Sequence, residues 1–233
     1  MLRLRIALVS GIAGLGLLAS PSIAGDLSGM FSLTKGKTNI GPKSAKYDFN
    51  DINFLGRLVL KDSYFVEFEH SNLKHSSLNK KHTIKPYWTK VGYQFSLGND
   101  NENDLLSKTK FFASLGYYKF KTLYAGEYPD TKSSGISYSI GATFSPSEQF
   151  DFSAAFTPIK YNSGGAINGK RQRTTDLAAT YYFSENIGWT VTYRYVDSRW
   201  LGSVDSEAMA TGIVWKFWAA SDSHLESNTP FLK

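Results

Sequence analysis

Between residues 27 and 217 the chain alternates apolar and polar side chains in stretches of about ten residues, and no stretch sustains a helical period. Leu27, Phe31 and Leu33 alternate with Ser28, Ser32 and Thr34; Ile136, Tyr138, Ile140 and Phe144 alternate with Ser137, Ser139, Gly141 and Thr143. Ten such stretches can be read, over 27–35, 52–60, 63–69, 87–97, 110–117, 136–144, 150–157, 176–183, 189–195 and 208–217. Side chains of a strand point alternately to its two faces, so each stretch presents one apolar face that must be covered. The connections alternate too. Those at 61–63, 98–107, 145–149 and 184–188 are mostly short and carry acids; those at 36–50, 70–83, 122–134, 161–174 and 197–207 are longer and rich in Gly, Ser, Lys and Asn. An even number of strands with short turns at one end and longer loops at the other is the layout of a transmembrane β-barrel, with both termini at the short-turn end.

Composition decides what covers the apolar faces. A mean hydropathy of −0.28 and the lack of any run of about twenty apolar residues exclude a bundle of membrane-spanning helices. The absence of Cys excludes disulfides, thiolate metal sites and a Cys nucleophile. A soluble barrel would turn its apolar face inward and carry long charged residues outside. Here the polar face is mostly Ser, Thr, Gly and Ala, which suits a narrow interior. Tyr64, Phe95, Tyr117, Trp189, Tyr195, Trp215 and Phe217 gather near strand ends, where an interfacial aromatic girdle is expected. The expected fold is all-β: a ten-stranded antiparallel up-and-down transmembrane β-barrel over residues 25–218.

Residues 1–24 have the three-part form of a secretory signal peptide: Arg3 and Arg5, an apolar run over 6–18, and small residues before a cleavage expected after Ala24. Its loss removes two bases and no acid, so the formal charge falls from +6 to +4. Residues 219–233, with Ser, Asp, Asn and Pro, read as a flexible periplasmic tail. The last two strands, Ile187 to Tyr195 and Ala210-Thr211-Gly212-Ile213-Val214-Trp215-Lys216-Phe217, carry a resemblance. They look like the C-terminal β-signal of small bacterial outer-membrane β-barrel proteins, the porin-like and surface-antigen group. The resemblance implies a Gram-negative outer-membrane location and recognition of the strand ending at Phe217 by the barrel-insertion machinery. In that group the aromatic is usually the last residue, whereas residues 218–233 follow it here.

Three sets of residues are candidate sites. Counting from a three-residue turn after Leu60 places Arg57 across from Glu67, and Asp176 falls beside Arg194 by the same reasoning. These four are either a charged pore constriction or a structural plug of paired inward charges, and a narrow barrel favours the plug. The second set is a basic rim. Sixteen Lys and Arg fall in the longer connections and adjoining strand ends against six acids, with Lys80, Lys81, Lys170, Arg171 and Arg173 the expected contacts for phosphate-rich lipopolysaccharide. The third is Glu69-His70-Ser71-Asn72, which resembles a segment of outer-membrane lipid A deacylases. There His and Ser stand two apart on one face, whereas adjacent residues of a strand face opposite ways. The expectation is therefore a non-enzymatic envelope surface protein, with a narrow diffusion pore and a lipid A hydrolase as alternatives. No metal, cofactor or specific nucleic acid is expected; oligomeric state is left open.

Overall fold

A computed structural model describes residues 25–40, 45–60, 63–76, 81–97, 105–124, 131–163, 169–198 and 204–219. The signal peptide expected over 1–24 lies outside them, as does the tail expected over 219–233 except for Ala219, which instead ends the last strand. The chain forms ten antiparallel strands: β1 (Gly25–Ile40), β2 (Ala45–Leu60), β3 (Tyr64–Ser71, continued past Asn72 by Leu73–Ser76), β4 (Lys81–Ser96), β5 (Thr109–Tyr124), β6 (Thr131–Ser147), β7 (Phe150–Ser163), β8 (Arg171–Tyr182), β9 (Ile187–Ser198) and β10 (Val204–Ala219). Both segments of β3 pair with β2 and β4 in a single register, so Asn72 interrupts the ladder without shifting it.

Each strand pairs with its sequence neighbours, and β1 pairs with both β2 and β10, which closes the sheet. Closure leaves no strand edge with unpaired N–H and C=O groups. Gly25 stands opposite Leu60, and Asp26 opposite Ala219. The first and last strands therefore meet at one end, called the terminal end below; the other is the loop end.

The outward positions are the apolar ones. Val91, Leu115, Tyr138, Ile140, Leu177, Trp189, Met209 and Ile213 are all exposed on the outer wall. Leu115 is 63% and Ile140 60% exposed, and such residues recur on every strand. A soluble monomer does not present so continuous an apolar surface. Four or five outward residues per strand make a band about 20–25 Å tall after tilting, the height of a barrel's lipid belt.

Two expectations are corrected. The five long loops are largely strand: β1 runs to Ile40, β5 to Tyr124, and β8 begins at Arg171, giving strands of 12 to 17 residues wherever one segment spans the wall. Lys81, Arg171 and Arg173 accordingly stand on strands, and only Lys170 of the described set lies in a connection. The reason is physical. Beyond the lipid band both faces become polar, so hydrophobic alternation fades while the backbone ladder continues. The interior is also not uniformly small. Phe65, Trp88, Phe112, Tyr118, Phe120, Ile159, Tyr161 and Tyr182 all share the inward face of their strands with residues such as Ser137 and Thr157.

Interior aromatics need room, and glycines supply it. The Phe65 ring lies against Gly92 and the Phe112 ring against Gly141, where an added Cβ would meet ring carbons and backbone oxygen. Replacing Gly92 or Gly141 with Val is expected to destabilise the barrel by about 1–3 kcal/mol. Urea unfolding of the refolded protein in detergent, followed by heat-modifiable gel migration, checks this.

Candidate functional site

The lumen holds two ionic groups. In the first, Glu67 on β3 is directly opposite Arg57 on β2 and Lys90 on β4. Lys90 Nζ lies 2.9 Å from Glu67 Oε1, and Arg57 Nη1 lies 3.9 Å from Oε2. The Arg57 Nη2 donates instead to Gln94 Oε1 at 2.8 Å, and its guanidinium stacks 4.0 Å above the Phe65 ring. Lys90 also sits 4.2 Å over Trp88. Glu67 thus keeps a close cation even where Arg57 is directed elsewhere.

The second group is built on Arg194 of β9. Its Nε donates to Asp176 Oδ1 on adjacent β8 at 2.6 Å, and its Nη1 donates to Glu69 Oε1 on β3 at 2.7 Å. Strand β3 lies four strands from β9 round the shorter arc of the ring, close to a diameter away. One guanidinium therefore bridges opposite walls, its planar fork matching two carboxylates at once. Asn53 Nδ2 donates to Glu69 at 2.8 Å, and Asp51 Oδ1 accepts the Asn72 backbone N–H at 2.7 Å.

On the loop side of these charges the lumen is packed. Trp88, Phe120, Ile159 and Tyr161 form a buried cluster joined by Ile84 and Tyr118. The Trp88 Nε1 donates to Ser137 Oγ at 2.8 Å, and Tyr161 Oη donates to Gln172 Oε1 at 2.6 Å, so both polar handles are satisfied. Ser137 is 0% and Tyr161 1% exposed. Toward the terminal end the inward side chains Thr143, Ser153 and Thr180 are only half-buried, and Lys216 is exposed, 4.1 Å over Tyr182.

Of the inward set, the structure thus joins Arg57 to Glu67 and Asp176 to Arg194, and it adds Glu69, Lys90 and Gln94. The alternation itself placed those three inward, since Glu69 is two residues from Glu67 and Lys90 and Gln94 lie between outward aromatics. What sequence could not supply was the contact across the lumen, which depends on barrel diameter. The plug of Trp88 and Tyr161 carried a weaker signal, because large aromatics on both faces blur the alternation.

The basic residues of the loop end stand on the outer wall. Lys35, Lys37, Lys74, Lys119, Lys132, Lys160, Lys170, Arg171 and Arg173 are exposed, and Lys85 and Lys121 half-buried. Lys85 is directly opposite Lys121, Lys121 opposite Lys132, and Lys160 opposite Arg171. Lys80 and the Lys81 side chain lie outside the described residues. The aromatics Tyr64, Phe95, Tyr117 and Trp189 are exposed on the outer wall, with Tyr195 and Trp215 half-buried there. Tyr64 meets Tyr93 edge-on at 5.2 Å, and Trp189 Nε1 donates to Thr211 Oγ1 at 2.6 Å. Phe217 falls on β10, its side chain outside the described residues.

His70 and Ser71 face opposite ways. Ser71 is buried in the lumen wall, while His70 stacks on Tyr87 at 4.3 Å and its Nδ1 lies 3.0 Å from the Pro86 carbonyl oxygen. The two cannot form a nucleophile–base pair in this arrangement. Among the described residues no group of three or more His, Cys, Asp or Glu gathers as metal ligands.

Closed antiparallel pairing with an apolar outer wall and a polar interior defines the transmembrane β-barrel class. No protein-family model matches the sequence, and no curated protein matches it. Solved structures similar to it include outer-membrane proteins. Neisserial surface protein A is 10% identical, with a TM-score of 0.42, covering 82% of this chain and 97% of that one. Ail, the attachment invasion locus protein of Yersinia pestis, solved with the heparin analogue sucrose octasulfate, is 14% identical with a TM-score of 0.43, covering 84% and 100%. The protease OmpT of Escherichia coli is 10% identical with a TM-score of 0.42, covering 84% and 96%.

The two ionic groups respond differently to loss of an arginine. Arg194→Met leaves buried Glu69 and half-buried Asp176 without their shared cation and is expected to cost about 3–5 kcal/mol. Arg57→Met leaves Glu67 with Lys90 and is expected to cost clearly less. Paired urea titrations of the two variants decide it, and equal losses contradict the assignment.

Proposed function

We propose that this chain is a non-enzymatic bacterial outer-membrane protein with a closed lumen, whose basic loop end faces the cell exterior and contacts lipopolysaccharide. In this reading residues 1–24 are removed after Ala24 during export, and residues 220–233 form a periplasmic tail. The barrel-insertion machinery takes up the strand ending at Phe217.

The observation that carries the closed lumen is Arg194. It ties β8, β9 and β3 together across the interior, beneath a buried aromatic layer. A diffusion pore needs a continuous aqueous path, and these layers stand across the lumen. The half-buried lumenal residues at the terminal end then line a vestibule that opens on the periplasm alone. The lipopolysaccharide contact rests on the exposed bases of the loop end, which stand immediately beyond the apolar band, where the phosphates of the outer leaflet lie. Lys170, Arg171 and Arg173 belong to this set, and we propose the same contact for Lys80 and Lys81. A hydrolase role lacks support, since Ser71 is in the wall and His70 on the outside.

The refolded full-length protein in planar bilayers should show no unitary current above background, and a stable ion-selective current overturns the closed lumen. Outer-membrane fractionation with heat-modifiable migration tests the location. Release of the chain by carbonate washing contradicts it.

A further inference from the structure

Charge in the middle of the lumen does not balance. Among the described residues there, the carboxylates are Asp51, Glu67, Glu69 and Asp176, and the cations are Arg57, Lys90 and Arg194. Glu67 is met by Lys90 and Arg57. Glu69 and Asp176 divide the guanidinium of Arg194, which makes two hydrogen bonds to each. Asp51, on β2 and 7% exposed, is the fourth acid. Its hydrogen bonds come from neutral donors, the Asn72 backbone N–H and the Ser71 hydroxyl, and Glu69 stands near enough to repel it. Lys110 and Lys216 are exposed at the terminal end, Lys216 six residues along β1 from the partner of Asp51, roughly 20 Å away. One buried negative charge is left over.

Two oxygens beside Asp51 also lack a partner. Asp51 and Asn53 share the inward face of β2, and Thr34 and Ser32 stand directly opposite them on β1. Ser32 is 1% and Asn53 7% exposed. Asn53 Nδ2 donates to Glu69 Oε1, which fixes the amide's orientation, because the reversed amide would set oxygen against oxygen. Its Oδ1 is thereby turned away from Glu69, and neither it nor Ser32 Oγ has a hydrogen-bond partner. Native interiors rarely leave two buried acceptors unmet side by side. A bridging water satisfies both oxygens but leaves the charge of Asp51 as it was.

We propose that the Asp51 carboxylate, Asn53 Oδ1 and Ser32 Oγ hold one hard monovalent cation, for which sodium is the probe. A single carboxylate with neutral hydroxyl and amide oxygens is a hard donor set, unlike the clusters of His, Cys or several carboxylates that hold transition metals. The single surplus charge selects a monovalent ion. A divalent ion would exchange one unpaired negative charge for one unpaired positive charge, in an interior where either is costly. Directly opposite residues have Cβ atoms about 5 Å apart and diagonal ones about 7–8 Å. The three side chains can therefore reach one ion at roughly 2.3–2.6 Å, the contact distance of a calcium-sized cation, without movement of the backbone.

The test compares the full-length protein, refolded in detergent, in sodium chloride and in choline chloride of equal ionic strength, reading urea unfolding by heat-modifiable migration. Sodium is expected to lower the unfolding equilibrium constant about tenfold, as a ligand at ten times its dissociation constant does. Asp51→Asn keeps an acceptor for the Asn72 N–H and should abolish the difference between the salts. Ser32→Ala should cut that difference to about threefold or less, whereas loss of a hydroxyl that binds nothing leaves it whole. Ser114→Ala removes another buried, unpartnered hydroxyl, on β5 opposite Gly92 and Ser139, and should keep the full tenfold. An undiminished difference in Asp51→Asn, or the same difference in Ser32→Ala and Ser114→Ala, overturns the site. So does equal stability of the unsubstituted protein in both salts. A pH dependence that disappears in Asp51→Asn would then assign the spare charge to a proton. Replacement of sodium by micromolar calcium overturns the monovalent assignment.

Discussion

The pairing of β1 with β10 is the constraint on which everything else rests. Ten strands with apolar outer faces cannot stop at an open edge in lipid, because each unpaired N–H or C=O there costs several kcal/mol. Closure satisfies the backbone, fixes the register of every strand against two neighbours, and creates an inside. Once the inside exists, the even-numbered side chains of β1 and their equivalents elsewhere have nowhere else to go. The lumenal chemistry follows from closure, and not from any local motif.

That interior is divided unequally. The wall of β2–β5 contributes Arg57, Phe65, Glu67, Lys90, Gln94 and Phe112, while β6–β10 contribute mostly Ser, Thr, Ala and Gly. Bulky side chains from one wall therefore fill space left by small ones on the other, with Phe112 against Gly141 as the clearest instance. Arg194, like Ile159, Tyr161 and Tyr182, is an exception on the small-residue wall, and it reaches back across to Glu69. A buried charge network of this kind is weak evidence for stability, since paired apolar residues could serve as well. Its effect is specificity of assembly: a strand slipped by one residue would turn Glu67, Glu69 and Arg194 into lipid.

Much of this was legible in the sequence, and the boundary of legibility has a physical cause. Alternation gave strand number, order and facing, and simple counting from the Leu60 turn gave the opposition of Arg57 and Glu67. Alternation failed where its cause stops. Beyond the lipid band Lys35, Lys37, Lys119 and Lys121 look outward into a polar medium, so a strand there resembles a loop in composition. It also failed to separate Trp88 and Tyr161, which face inward, from Tyr87 and Tyr138, which face outward, because aromatics suit both a plug and a lipid belt. Contacts across the lumen, such as Arg194 to Glu69 over 125 residues of sequence, depend on a diameter that no local pattern encodes.

The correction from loops to strands changes what the basic residues can do. On flexible loops, sixteen bases would form a diffuse cationic cloud, attractive to any polyanion and selective for none. On rigid strands their spacing is fixed by the ladder, and direct opposition of Lys85, Lys121 and Lys132 becomes a definite arrangement of charge. The same ladder sets Asp197 opposite Arg173 and Glu207 opposite Lys37, so acids and bases meet at fixed positions there. That fixed placement of charge on the outer wall follows from extending the strands past the lipid.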